Sequence, residues 1–115
     1  MLVISIPEVW PPEFSSQVKI IHATCNFNSE LAIGINNVAD LRISFPSLRP
    51  VSYVDVRVLF PSLDSENQCR TIKEHIRERG DISLSQVSSF TDNTGELRYR
   101  LTIEYSTELL WEIEI

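Results

Sequence analysis

Four side chains of this chain are of the types that bind transition metals: His22, Cys25, Cys69 and His75. Zn²⁺ takes imidazole and thiolate ligands of this kind when a fold brings them together. Side chains alternate between the two faces of a strand, so His22 and Cys25 diverge, while Cys69 and His75 lie on different sides of a predicted helix. We therefore predict no metal site and no cofactor, and we interpret Cys69 as a core residue.

His22 is the main candidate for a general base, because histidine titrates near neutral pH. It shares one face of a predicted strand with Val18, Ile20 and Thr24, which favours a structural role in the packed layer of the sheet. An alternative hypothesis is a small-ligand-binding or hydrolytic β-barrel-like protein, in which His22 lines a pocket together with the tyrosines Tyr53, Tyr99 and Tyr105.

Asp55 and Glu104 form a candidate carboxylate pair on two long predicted strands. Arginines at outward positions of the same strands, Arg57 and Arg100, predict cross-strand ion pairs instead. The chain contains no G-x-S-x-G, H-E-x-x-H or C-x-x-C motif, and its three glycines are isolated, which excludes a phosphate-binding loop. These patterns together favour a non-enzymatic protein.

The net charge of −6 is concentrated in the last third of the chain. Residues 81–115 contain seven acidic side chains and two basic ones, Arg98 and Arg100, which gives −5 for this part. Phosphate recognition requires clustered Lys and Arg, so we expect no nucleic-acid partner. A basic protein fits this charge, because complementary potentials steer association and select partners.

The C-terminal segment, residues 109–115, alternates apolar and acidic residues and predicts a further strand. Such a strand must be paired or covered, so it is an internal strand, the edge strand of a homodimer or a docking edge for another protein. Trp10, which lies among prolines, is a second candidate anchor because interfaces favour aromatic side chains. Our candidate partner-binding residues are Trp10, Glu108, Trp111, Glu112 and Glu114.

Strands must position these side chains, because the dominant period of the hydrophobic pattern is two. In residues 51–60 and 96–105, apolar side chains alternate with polar ones, which is typical of antiparallel strands with one buried face. Residues 81–89 are rich in serine and predict an edge strand, joined to the strand at 96–105 by the turn-forming residues 92–95.

One helix is predicted between Ser65 and Gly80. Ser65 and Gln68 have the spacing of a capping box, and Gly80 stands where a left-handed C-terminal cap is expected. An apolar stripe made of Cys69, Ile72 and Ile76 is wide enough to lay the helix on a sheet but too narrow to bury it.

We therefore predict an α+β fold in a single domain, residues 1–115. It consists of a mostly antiparallel sheet of six to eight strands, curled or arranged as a sandwich, with one α-helix around residues 66–79 packed on it. The expected function is a non-enzymatic protein-interaction module, such as a small acidic adaptor, inhibitor or immunity-type protein. Because apolar runs are too short to span a bilayer and the N-terminus lacks the basic start of a signal peptide, we expect a cytoplasmic protein with no membrane partner.

Overall fold

Antiparallel strands dominate the computed structural model, which describes residues 10–25 and 52–108 in full and the backbone of three strands within residues 2–45. In chain order the elements are β1 (Leu2–Pro7), a 3-10 turn (Pro12–Phe14), β2 (Lys19–Cys25), β3 (Ile33–Asn37), β4 (Asp40–Phe45), β5 (Tyr53–Leu63), α1 (Glu66–Arg77), β6 (Asp81–Thr91) and β7 (Leu97–Glu108). The main sheet has the strand order β2-β5-β7-β6, and a second sheet has the order β1-β4-β3. All neighbouring strands pair antiparallel.

The prediction of an α+β fold with one helix and antiparallel pairing is confirmed for the described residues. The main sheet has only four of the six to eight strands predicted for one curled sheet or sandwich, and the other three described strands form the separate second sheet. The helix ends at Arg77 rather than at residue 79. The strand predicted for residues 109–115 lies outside the described residues.

Alternating burial along β5 and β7 gives the main sheet two different faces. We call the face that packs on α1 the inner face and the opposite one the outer face. Side chains of the inner face join α1 and the segment before β2 in one hydrophobic cluster, whose largest members are Trp10, Phe60, Leu63, Ile72, Ile76, Leu101 and Tyr105. Burial of this apolar area, at roughly 25 cal/mol per Å², holds the helix on the sheet.

Local hydrogen bonds start α1 where the sequence predicts it. The hydroxyl of Ser65 accepts a hydrogen bond from the backbone N–H of Gln68 at 3.3 Å. The side chain of Gln68 in turn accepts from the backbone N–H of Asp64 at 2.7 Å, one residue before the position that a reciprocal capping box uses. The predicted apolar stripe is also confirmed, because Cys69, Ile72 and Ile76 are the buried residues of the helix.

Gly80 does not have the role that the sequence suggested. Its backbone is not left-handed, since Gly95 is the glycine with positive φ among the described residues, and the helix ends in tightened turns such as Arg79 N–H to Ile76 O at 2.9 Å. A Cβ atom on Gly80 would lie 2.4 Å from the carbonyl oxygen of Ser106 and 2.7 Å from the ring of Tyr105. Glycine is required here because the chain leaving α1 approaches β7 too closely for a side chain.

Asp92 organises the turn between β6 and β7. One of its carboxylate oxygens accepts hydrogen bonds from the backbone N–H of Thr94 (2.9 Å), the hydroxyl of Thr94 (2.7 Å) and the backbone N–H of Glu96 (3.0 Å). Gly95 supplies the positive φ, +84°, that this turn needs. The hydrogen bond from the Thr94 hydroxyl, together with the two backbone donors, holds the pKa of Asp92 below its ordinary value of 3.8.

The close approach at Gly80 predicts that Gly80→Ala destabilises the fold by about 1–3 kcal/mol, because the added methyl group meets rigid backbone of β7. The measurement is urea unfolding followed by circular dichroism. Glu78→Ala, at an exposed position of the same turn, is the matched control and should change stability by no more than about 0.5 kcal/mol. A Gly80→Ala variant as stable as this control would contradict the steric explanation.

The lowered pKa of Asp92 predicts a specific pH dependence of stability. Its contribution is fully present above the unfolded-state pKa near 3.8 and is lost as pH falls through the lower folded-state pKa. In urea unfolding from neutral pH down to about pH 3, the stability difference between wild type and Asp92→Ala should therefore shrink. The difference for Asn93→Ala, a neighbouring turn residue that does not titrate, should stay constant, and parallel behaviour of the two variants would contradict the assignment.

Candidate functional site

The outer face of the main sheet gathers polar side chains from three adjacent strands. A shallow cleft of about 270 Å³ lies there, lined by side chains of β2 (His22 and Thr24), β5 (Asp55 and Arg57) and β7 (Glu104 and Ser106). Strand pairing brings them together, because Thr24 lies opposite Asp55, Asp55 opposite Ser106 and Arg57 opposite Glu104. Directly opposed residues of antiparallel strands project from the same face.

A one-residue bulge in β2 brings His22 to this face. Ile20 pairs with Val58 and His22 pairs with Arg57, which leaves Ile21 as the extra residue. Val58 is buried and Arg57 is not, so the bulge switches the strand from inward to outward between Ile20 and His22. The expectation that His22 shares the packed face of Val18 and Ile20 is therefore wrong, because a bulge shifts every following side chain to the other face.

Ion pairing on the outer face follows the sequence prediction. Arg57 and Glu104 form a cross-strand salt bridge and hydrogen bond, and the hydroxyl of Ser106 donates to the carboxylate of Asp55. Asp55 and Glu104 thus have different partners, whereas the two carboxyl groups of a catalytic dyad face each other. The Arg57 Nε–H is buried and has no hydrogen-bond acceptor among the described residues.

The corner of the outer face where β7 ends is acidic. Tyr53 lies opposite Glu108, and Asp81 lies opposite Ser106, so that these residues border a second shallow depression of about 220 Å³. Neither Asp81 nor Glu108 has an ion-pair partner among the described residues. We call Tyr53, Asp81 and Glu108 the acidic corner. The cleft and the acidic corner together carry one guanidinium, that of Arg57, which is paired with Glu104. They carry four carboxylates, those of Asp55, Asp81, Glu104 and Glu108.

The structure separates the residues that we proposed as partner anchors. Glu108 is exposed at the acidic corner, whereas Trp10 is 0% exposed and packs edge-to-face on Phe60, with ring centroids 6.5 Å apart. The indole of Trp10 is therefore part of the core and presents no surface to a partner. Trp111, Glu112 and Glu114 lie outside the described residues.

The alternative pocket, built from His22 and three tyrosines, is only partly assembled. Tyr53 lies on the outer face, but Tyr105 points into the core, where its hydroxyl donates to the carbonyl oxygen of Arg79 at 3.1 Å. Tyr99 pairs with Leu63 on the inner face. The described strands of the main sheet form an open sheet, with β2 and β6 at its edges, and do not close as a barrel requires.

In the part of the chain that the structure describes, we find neither a base positioned to activate a nucleophile nor a set of ligands for a metal ion. His22 has no hydrogen bond to orient its ring there, and no group of three or more His, Cys, Asp or Glu side chains is arranged to hold a metal ion. Both described cysteines, Cys25 and Cys69, are free and buried, and burial raises the pKa of the Cys69 thiol. A thiol in such surroundings is a weak nucleophile.

Sequence reasoning found Asp55, Glu104 and Glu108 but missed Asp81, Thr24 and Ser106 as neighbours of these carboxylates. The alternating pattern of the sequence indicates which side chains of a strand point outward. It does not indicate the register that places β2, β5, β7 and β6 side by side. No protein-family model, curated protein or solved structure matches this chain. Within the described residues, no helix is long and apolar enough to cross a membrane. The function is therefore argued from the outer face itself.

Proposed function

We propose that this protein is a non-enzymatic interaction module that binds a basic segment of another protein on the outer face of its main sheet. The observation that carries the proposal is the acidic corner, where Asp81 and Glu108 flank the half-exposed ring of Tyr53 without an ion-pair partner among the described residues. A Lys or Arg side chain would find both a counter-charge and an aromatic face there.

The chemistry of this corner favours a cationic side chain over other ligands. A guanidinium or ammonium group within about 6 Å of an aromatic ring gains about 0.5–1 kcal/mol at an exposed site. Carboxylates at the rim add steering and specificity more than affinity. Because β5 and β7 are central strands of the sheet, Tyr53 and Glu108 are held in place before a partner arrives, which lowers the entropic cost of binding.

The residues that follow the acidic corner along the chain extend the proposal. Trp111, Glu112 and Glu114 would supply a further aromatic group and two more negative charges for the same basic partner. Trp10 is not included, because its side chain is buried. The net charge of −6 speaks against a nucleic-acid partner, since like charges repel.

Three sequence-based expectations remain part of this proposal. They are a single domain spanning residues 1–115, a curled sheet or sandwich of six to eight strands, and a cytoplasmic location. The second antiparallel sheet supports the sandwich, since it adds β1, β4 and β3 to the strands of the main sheet. Two free, buried cysteines support a reducing compartment.

The cleft beside the acidic corner favours a second candidate function, the binding or hydrolysis of a small polar ligand. His22, Asp55 and Glu104 line it, and the unpaired Arg57 Nε–H offers a hydrogen bond to a ligand oxygen. Because no described residue orients His22, this candidate ranks below the interaction module.

Charge reversal at the acidic corner tests the first candidate. We expect the double variant Asp81→Lys, Glu108→Lys to bind an arginine-rich peptide about tenfold more weakly than wild type, a loss of about 1.4 kcal/mol. Its affinity should also depend less steeply on salt, because fewer ion pairs form. The measurement is fluorescence anisotropy of the labelled peptide at low and moderate salt, with a glutamate-rich peptide of equal length as the negative probe.

Glu66→Lys with Glu74→Lys is the matched control, because it changes the net charge equally at exposed positions on α1. We expect this control to reduce the affinity by less than about twofold, since the charges lie away from the outer face and are screened. Equal losses in both double variants would mean that net charge alone attracts the peptide, and the proposed site would be wrong. Thermal unfolding should confirm that all variants remain folded.

The two histidines of the chain allow a direct test of the second candidate. For an interaction module we expect wild type, His22→Ala and His75→Ala to hydrolyse p-nitrophenyl acetate at the same rate, because an unoriented imidazole adds little catalysis. A rate that falls only in His22→Ala, at an unchanged melting temperature, would overturn our ranking and favour the hydrolytic cleft.

A further inference from the structure

The edge strand β6 carries no charged side chain from Ile82 to Thr91. It pairs with β7 on one side and has no described strand on the other. An edge strand exposes a row of unpaired backbone N–H and C=O groups that can pair with another chain. No charge along these ten residues would oppose the approach of a second strand to this edge.

Proteins normally protect an edge strand with charges, prolines, bulges or short length. β6 contains a bulge only near its start, between Ile82 and Leu84, and its register against β7 then runs without interruption from Leu84 to Thr91. The opposite edge strand, β2, also begins with a charged residue, Lys19, and has a bulge at Ile21, but only four residues follow its bulge, whereas eight follow the bulge of β6. Among the described residues, β6 from Leu84 onwards is therefore the less protected edge of the main sheet.

The sequence of this edge is self-complementary about Val87. Reading outwards from Val87, the residues on the two sides correspond in type: Gln86 with Ser88, Ser85 with Ser89, and Leu84 with Phe90. A two-fold axis perpendicular to a sheet pairs two identical strands antiparallel and keeps each side chain on its own face. Each pair must then consist of two residues that project from the same face of the strand. Pairing about Val87 fulfils this condition, because the two members of each pair are equally far from Val87 along the strand.

The side chains of β6 have the exposure that such pairing requires. Val87 lies opposite Leu101 on the inner face, yet it is 50% exposed because α1 does not reach it fully and leaves a groove beside it. On the outer face, Phe90 is half-buried under the guanidinium of Arg100, 4.8 Å from the ring centroid. A second copy would place Val87 against its own symmetry mate and Leu84 against Phe90, which buries apolar surface on both faces.

We propose that two copies of this chain associate through β6, pairing antiparallel about a two-fold axis at Val87. The two main sheets then form one continuous sheet, and the backbone groups of both edges are satisfied. The absence of charge from residue 82 to residue 91 lets two acidic chains meet here without placing like charges opposite each other. Pairing about Val87 joins residues 83–91 of the two copies, so it leaves Asp81, at the start of β6, and the rest of the acidic corner outside the contact.

Sedimentation velocity of the full chain over a range of concentrations tests the proposal. Wild type should form a species with twice the 13.2 kDa mass of the chain. Val87→Lys and Val87→Glu should each remain monomeric, because each places two like charges opposite one another at the axis. Ile21→Lys is the matched control, since Ile21 is 48% exposed but lies at the other edge of the sheet, and it should dimerise as wild type does.

Mixing Val87→Lys with Val87→Glu gives the decisive result. Pairing about Val87 predicts that the mixture regains the dimer, because a lysine of one copy then faces a glutamate of the other. A monomeric wild type, a dimer that survives Val87→Lys, a dimer that Ile21→Lys abolishes as well, or a mixture that stays monomeric would each overturn the proposal. Circular dichroism of the single variants establishes that they are folded, which separates loss of pairing from loss of structure.

Discussion

The antiparallel pairing of β5 with β7 is the constraint on which the rest of the structure depends. These two strands are the centre of the main sheet, and their register places the buried side chains of both strands on the same face. The helix covers that face through a stripe of three buried residues. Since one face of the pair is occupied by the core, the alternating polar residues have only the opposite face to occupy, and the outer face is a direct consequence of packing.

Two bulges and one glycine modify this regular arrangement of strands. The bulge at Ile21 turns His22 from the core side to the outer face, and the bulge after Ile82 sets the faces of all later residues of β6. Gly80 allows the chain after α1 to pass against the backbone of β7, so that β6 can follow the helix directly. Without the bulge at Ile21, His22 would lie on the inner face, and without the bulge after Ile82 the later side chains of β6 would exchange faces.

Two surfaces with different chemistry result. One end of the outer face carries four carboxylates against one arginine, Arg57, and an excess of negative charge of this kind acts on basic groups over a distance. The β6 edge is uncharged and offers backbone hydrogen bonds and apolar side chains, which act only in contact. A dimer through β6 would present two acidic corners, and binding to a partner with two basic segments would then gain from multivalency.

Local sequence determined the parts of this protein that depend on neighbours in the chain. The start of α1 at Ser65, the apolar stripe of the helix, the inward parity of β5 and the turn at Asp92 all follow from residues within a few positions of one another. Serine-rich composition also predicted the edge position of β6, which the sheet order confirms. In each case, hydrogen-bond spacing or the two-residue period of a strand is sufficient to specify the structure.

Tertiary structure alone decided the rest. Trp10 is buried because Phe60, far along the chain, packs against it. Glycine is needed at position 80 because the backbone carbonyl of Ser106 lies too close for a side chain. His22 changed face through a bulge that only the pairing with β5 reveals, and Asp81 joined Glu108 through β7. The physical reason is the same each time. Strand register, and the close approach of one segment to another, are set by contacts between segments that are distant in the sequence. The two-residue period of a strand predicts which face a side chain occupies only as far as the first bulge.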